Sequence, residues 1–206
     1  MPKTKLDTRI QKWRTSEIKR KINAALTRKK KAAKKKISLS TSDWKKFCDI
    51  CFEFYIRFRD NWIDGLDGKI YQPGNYEHYH ACHYIPRGSL ATRYIDINCH
   101  GQSSGHNFAM SSTAPTNIRR AMERIYRAFM VKKYGEETVK QLESLETQIC
   151  HRSLYDWQIL AAELFGQAAA MDSIRLQERL DKVYQWSNGK RTLELIQKTL
   201  AGDKNE

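Results

Sequence analysis

No apolar run in this 206-residue chain approaches the roughly 18 residues that a membrane-spanning helix needs. The opening Met1-Pro2-Lys3-Thr4-Lys5 has no apolar h-region, so no secretory signal is expected. Cysteine is sparse and odd in number, five residues scattered from Cys48 to Cys150, which does not read as a secreted disulfide framework. These absences lead to the expectation of an intracellular, cytoplasmic protein without a membrane partner. The Cys-x-x-Cys pair Cys48-Asp49-Ile50-Cys51 has no second pair after it. It lies in an aromatic-rich helical run rather than a Gly-containing turn, so both thiols are read as core and no zinc is expected there. No internal repeat is present.

What is present is a foldable body behind a strongly basic arm. Hydrophobic residues make up 40% of the chain, and the aromatics (5 Trp, 10 Tyr, 7 Phe) argue against wholesale disorder. Residues 1–36 hold 15 Lys and Arg against Asp7 and Glu17, which leaves 22 basic and 21 acidic residues over 37–206. Nearly all of the net charge of +14 therefore sits in the arm. A segment of that charge ahead of a near-neutral body suits a polyanion, because each phosphate neutralised releases condensed counterions. Lys29, Lys30, Lys31, Lys34, Lys35 and Lys36 are the candidate contacts.

Composition breaks at residues 37–42, and Thr41, Ser42 or Asp43 can cap a helix in which Trp44, Phe47, Cys48, Cys51, Tyr55 and Phe58 share one face. Residues 61–77 read as loop, with at most a short strand at 69–71. Two strands are predicted at 79–85 and 93–100, close enough to form a hairpin, with a short helix opening near Asn107. From Thr116 onward the pattern is helical. The predicted helices are one with a stripe of Ile118, Met122, Ile125, Tyr126 and Phe129 that stops at Gly135, then 136–149, 154–164, 171–186 and a last turn or two around 193–200. The fold class is α+β and mostly helical. The divisions expected are an arm (1–38), a core (39–149) and a C-terminal helical region (150–206).

Histidine is concentrated where helices are not: His78, His80, His83, His100 and His106 lie in the hairpin segment, and only His151 lies elsewhere. That is a pointer to metal or proton-transfer chemistry. Strand alternation sets His80 and His83 on opposite faces, so they share a small site only if the strand bends.

Four stretches stand in order along the chain: Tyr55-Ile56-Arg57-Phe58-Arg59-Asp60, residues 81–94 (ACHYIPRGSLATRY), Asn98-Cys99-His100-Gly101-Gln102 and Lys133-Tyr134-Gly135-Glu136-Glu137. Together they resemble the NinG (Rap) family of phage recombination nucleases, part of the HNH or ββα-metal group. The resemblance implies a small hairpin-plus-helix core that holds one divalent ion, Mg²⁺ or Mn²⁺, against a scissile phosphate. His83 would be the general base and His100 a supporting catalytic residue. His80 and Asn107 would be metal ligands, and Arg87 and Arg93 would hold phosphates. The substrate implied is branched recombination DNA, and symmetric cleavage of a junction would favour a homodimer. Three departures stand out. The family's zinc-knuckle cysteines have no counterparts near 70–73 or at Ser103 and His106, its Asp three residues before the catalytic His is His80 here, and its lysine after the helix-start Asn is missing from Phe108-Ala109-Met110. A catalytically inactive nucleic-acid-binding protein on a degenerate HNH scaffold is therefore the alternative reading, and an RNA binder a third.

Overall fold

The computed structural model describes residues 38–202. The chain divides into two units, Met1–Ser38 and Leu39–Glu206, and every element below belongs to the second. The lysines proposed for the arm lie outside the described residues.

Helix α1, Thr41–Arg59, is started by Ser40 rather than by any of the three residues after it. The Ser40 hydroxyl accepts from the Asp43 amide at 3.2 Å, and the Asp43 carboxylate takes the Ser40 amide at 2.9 Å, a capping box. Trp44, Phe47, Cys48, Cys51, Phe52, Phe54 and Ile56 are all buried, so α1 is apolar on more than one side. It is the central helix. Burial pushes the Cys48 thiol up to about 12, with Asp49 adding to the effect, and its Sγ lies 3.9 Å from the Trp157 carbonyl, so this is a packed core cysteine.

The loop from 60 to 78 makes one isolated bridge, Ile63 to Ile70, in place of a strand. Strands β1 (Tyr79–His83) and β2 (Cys99–Ser103) then pair antiparallel with Tyr79 opposite Ser103, His80 opposite Gln102 and His83 opposite Cys99. β2 starts later than its composition suggests and runs through Gly101. Asn98 is the reason. Its buried amide accepts from the Ile85 amide at 2.8 Å and donates to the carbonyls of Ile85 (3.2 Å) and Thr92 (3.0 Å), which closes 85–98 into a loop instead of a strand. Gly101 is required where it stands, because a Cβ there would come 1.7 Å from the Tyr79 hydroxyl oxygen.

Helices α2 (Ser104–Ala109), α3 (Thr116–Tyr134) and α4 (Glu136–Ser144) follow, with Gly135 at φ 85° forming the turn between the last two. Tyr126 and Met130 are the buried face of α3, whereas Ile118 and Ile125 are 46% and 52% exposed, so the predicted stripe is rotated toward the C-terminal half. Helix α5 spans Leu154–Val183 as two helical segments, as predicted, but the break between them is a single kink at Asp172 and residues 165–170, expected to lie between helices, are helical. At Asp172 its backbone leaves helical geometry (φ −164°, ψ 97°) and the Asp172 carboxylate caps the Arg175 amide at 2.9 Å, so the helix restarts at once. Helix α6 spans Ser187–Leu200, and the residues read as a turn at 187–189 form its first turn.

Two apolar clusters result. One packs α1 against α5 and α6 through Trp157, Leu164, Leu176, Leu180 and Ile196; the other joins Cys82 and Ile85 to Tyr126, Met130, Val139 and Leu142. The architecture is α+β and mostly helical, with a two-stranded sheet between α1 and α3. Among the described residues no helix is long and apolar enough to cross a membrane.

Candidate functional site

The hairpin presents two faces. On the α1 side, the His83 ring lies 5.9 Å from the Phe52 ring and its Nδ1 is 3.7 Å from Cys99 Sγ. Its Nε2 is 2.9 Å from the Arg93 carbonyl. A carbonyl only accepts, so Nε2 carries the proton and Nδ1 presents a lone pair. Burial, helped by the nearby Arg87 charge, lowers the His83 pKa to about 4, so the ring is neutral at physiological pH.

On the opposite face, His80 and Asn107 come together at 3.1 Å. His80 Nε2 lies 3.1 Å from the Glu77 carbonyl, which by the same logic leaves Nδ1 as an acceptor toward the Asn107 amide. Burial lowers the His80 pKa as well. The strands are in continuous register without a bulge, so the alternation that separates His80 from His83 in the sequence is kept in the fold.

His100 is placed in the core, 1% exposed, between two tyrosines. Its Nδ1 donates to the Tyr126 hydroxyl (3.1 Å), which donates in turn to the Cys82 carbonyl (2.8 Å), and the Tyr134 hydroxyl donates to its Nε2 (2.7 Å). This histidine supports the hairpin from behind and touches neither His83 nor the His80–Asn107 pair. Burial lowers its pKa to about 3. Both folded values lie below the ordinary histidine value, so the unfolded chain binds more protons and stability falls as pH drops from about 6.5 toward 4 and 3. Denaturant unfolding is expected to show a loss of roughly 2–3 kcal/mol between pH 6.5 and 5, with about half of it absent in His100→Gln. A stability level across that range would contradict the buried neutral state of both rings.

A cavity of about 750 Å³ opens beside the hairpin, and its wall includes His83, Arg87, Asn107, Arg120, Arg124 and Arg127. The two arginines predicted for phosphates are otherwise engaged. Arg93, 8% exposed, makes a two-pronged pair with Asp49 (2.8 and 2.7 Å) and donates to the Arg87 carbonyl. Arg87 pairs with Glu53, one helical turn further along α1. Arg127 is held by Glu136 (2.7 Å) and Glu143 (3.0 Å). The three α3 arginines were missed by sequence reasoning, although their 4- and 3-residue spacing sets them on one helical face.

The metal-ligand expectations can be tested on donor chemistry. His80 supplies one imidazole nitrogen, and Asn107, with its amide turned over, one oxygen. Gln102, opposite His80 in the register and so on the same face, is fully buried with both amide atoms unpartnered, which points to a polar partner for this face. Amide oxygens with one imidazole nitrogen and no carboxylate among them suit Mn²⁺ better than Mg²⁺, which is usually bound through carboxylates. Among the described residues the cluster of three His, Cys or acidic ligands is elsewhere, at Asp64, Asp67 and His106. There the buried Asp64 carboxylate already accepts from the amides of Leu66 (2.8 Å) and Ser103 (2.6 Å) and from His106 Nδ1 (2.8 Å), tying the 60–78 loop to the end of the hairpin.

Comparison with protein families matches residues 3–164 to the model described as bacteriophage lambda NinG protein. The chain belongs to the NinG family. Comparison with curated proteins and with solved structures finds no match. NinG membership connects the chain to phage recombination, and the hairpin, α2 and α3 all fall inside the matched NinG segment.

Proposed function

We propose that this NinG-family protein is a metal-dependent DNA endonuclease of the HNH type that acts on branched recombination DNA. The observation that carries the reading is the wall of one cavity, which is lined by His83 in the base-competent tautomer, by Asn107, itself paired with His80, and by four arginines beside Glu123, Glu143 and Glu146. His83 Nδ1 takes the proton of the attacking water. The Arg93 carbonyl holds the ring by its Nε2–H, and the approach of an anionic phosphate raises the basicity that burial has lowered. Cys99, its thiol held protonated by burial, donates only weakly to Nδ1 and yields that place to water.

His80, Asn107 and Gln102 would hold Mn²⁺, and such an ion would supply the charge that offsets the leaving oxygen. The Asp64–Ser103–His106 network stands, in this reading, where the family's zinc knuckle would tie loop to hairpin. A homodimer would follow from symmetric cutting of a junction.

One observation favours the second reading, a DNA-binding protein that does not cut: His83 and the His80–Asn107 pair lie on opposite faces of a regular hairpin. The deciding experiment incubates the protein with labelled four-way-junction and duplex DNA in Mn²⁺, Mg²⁺ or EDTA, beside a binding assay in EDTA. Cleavage in Mn²⁺, weaker in Mg²⁺ and absent in EDTA, is expected. Tight binding with no cutting in any metal would establish the binding protein.

A further inference from the structure

The arginines around the cavity divide into two classes. Arg87, Arg93 and Arg127 each have a carboxylate partner, in Glu53, Asp49 and the Glu136–Glu143 pair. Arg120 and Arg124 have no ion-pair or hydrogen-bond partner among the described residues, yet both are exposed and both stand on the cavity wall. Their neighbour Arg119 is the one that takes Glu123. An arginine already held two-pronged by a carboxylate must give up that pair before it can meet a phosphate, whereas an unpaired, hydrated one releases only water and counterions.

We infer that Arg120 and Arg124 of α3, rather than Arg87 and Arg93, are the phosphate contacts of the folded body, and that they form a track for the backbone of DNA entering the cavity. The inference rests on the DNA-processing reading above. Four residues of helix separate their Cα atoms by about 6 Å along the axis. One DNA strand offers a phosphate about every 3.4 Å of its own axis, so the two guanidinium groups meet different phosphates. The track runs along α3 toward Asn107, which shares the same wall. Arg87 and Arg93 are positioning residues, which hold the 85–98 loop on α1 and, through the Arg93 carbonyl, orient His83.

The test measures binding of the full chain to labelled duplex and junction DNA in EDTA over a range of salt. The wild type, Arg120→Ala/Arg124→Ala, each single variant, Arg120→Lys/Arg124→Lys and Arg87→Ala are compared. The cations of residues 1–36 are common to all of them, so differences report on α3 and the loop. The double alanine variant is expected to reduce the slope of log K against log salt by about two, each single variant by about one, the lysine variant by little, and Arg87→Ala not at all. Both positions are exposed, so the thermal midpoint should stay at the wild-type value. An unchanged slope in the double variant, or an equal loss in Arg87→Ala, would overturn the inference. Because binding is read in EDTA, the inference stands if the protein binds and never cuts, and it falls without affecting a cleavage activity that depends on His83.

Discussion

Replacing His83 with alanine is expected to lower DNA cleavage by about 10²–10⁴-fold, the range for loss of a general base, while binding in EDTA stays at the wild-type level. The reasons are geometric. His83 reaches the wall of the cavity from the end of β1, and its Nε2 is fixed by a backbone carbonyl rather than by a side chain, so the lone pair stays on Nδ1. Burial, helped by the Arg87 charge, keeps the ring neutral. The removed ring is small and partly buried against Phe52, so the variant should remain folded. Wild-type cleavage by His83→Ala would remove the base from the mechanism, and loss of binding in EDTA would make the residue structural.

Arg93→Met is expected to destabilise the fold by about 3–5 kcal/mol, the cost of leaving one member of a largely buried ion pair alone. Asp49 would lose both guanidinium bonds and keep only the Tyr94 hydroxyl at 2.7 Å. The Arg87 carbonyl would lose its donor at the same time. Against a total stability of roughly 5–15 kcal/mol this is a large fraction, and the thermal midpoint should fall by about 10 °C. Replacing both partners, Arg93→Met/Asp49→Leu, is expected to recover most of the loss, because no unpaired charge is then buried. A single variant as stable as the wild type would mean that the pair contributes nothing. Cleavage by Arg93→Met should also suffer below its melting temperature, since the loop that it anchors carries the carbonyl that orients His83.

Much of this was legible in the residues themselves. The aromatic spacing and the Ser-rich break before it announce α1, the alternation around 79–83 announces β1, and Gly135 announces the end of α3. The alternation also foretells that His80 and His83 face apart. The later start of β2 was not legible from composition, because Tyr94-Ile95-Asp96-Ile97 reads as strand and only the three bonds of Asn98 turn it into a closed loop. The break in α5 was legible but its extent was not, since Asp172 both interrupts the helix and recaps the next segment, so a single residue suffices.

The engagement of Arg87 and Arg93 is a contact across about forty residues of chain, and no local pattern names the partner. A hint did exist. Asp49 and Glu53 are carboxylates one turn apart on a helix otherwise crowded with buried aromatics, and carboxylates in such a place call for cations nearby. The resemblance to NinG supplied the His80–Asn107 pairing, which spacing alone would not have suggested. It placed phosphate binding on loop arginines because it carried no information about which carboxylates they meet.

The measurement that bears most directly on the central claim is kcat/KM for junction cleavage by the wild-type protein between pH 8 and pH 5, with Mn²⁺ held constant. This quantity reports the ionisation of the free enzyme. With His83 neutral down to a pKa of about 4, the profile is predicted to stay level across the whole range. A rate that falls tenfold per pH unit below about 6.5 would place the catalytic base in an ordinary, exposed histidine and contradict the buried, carbonyl-held His83 described here.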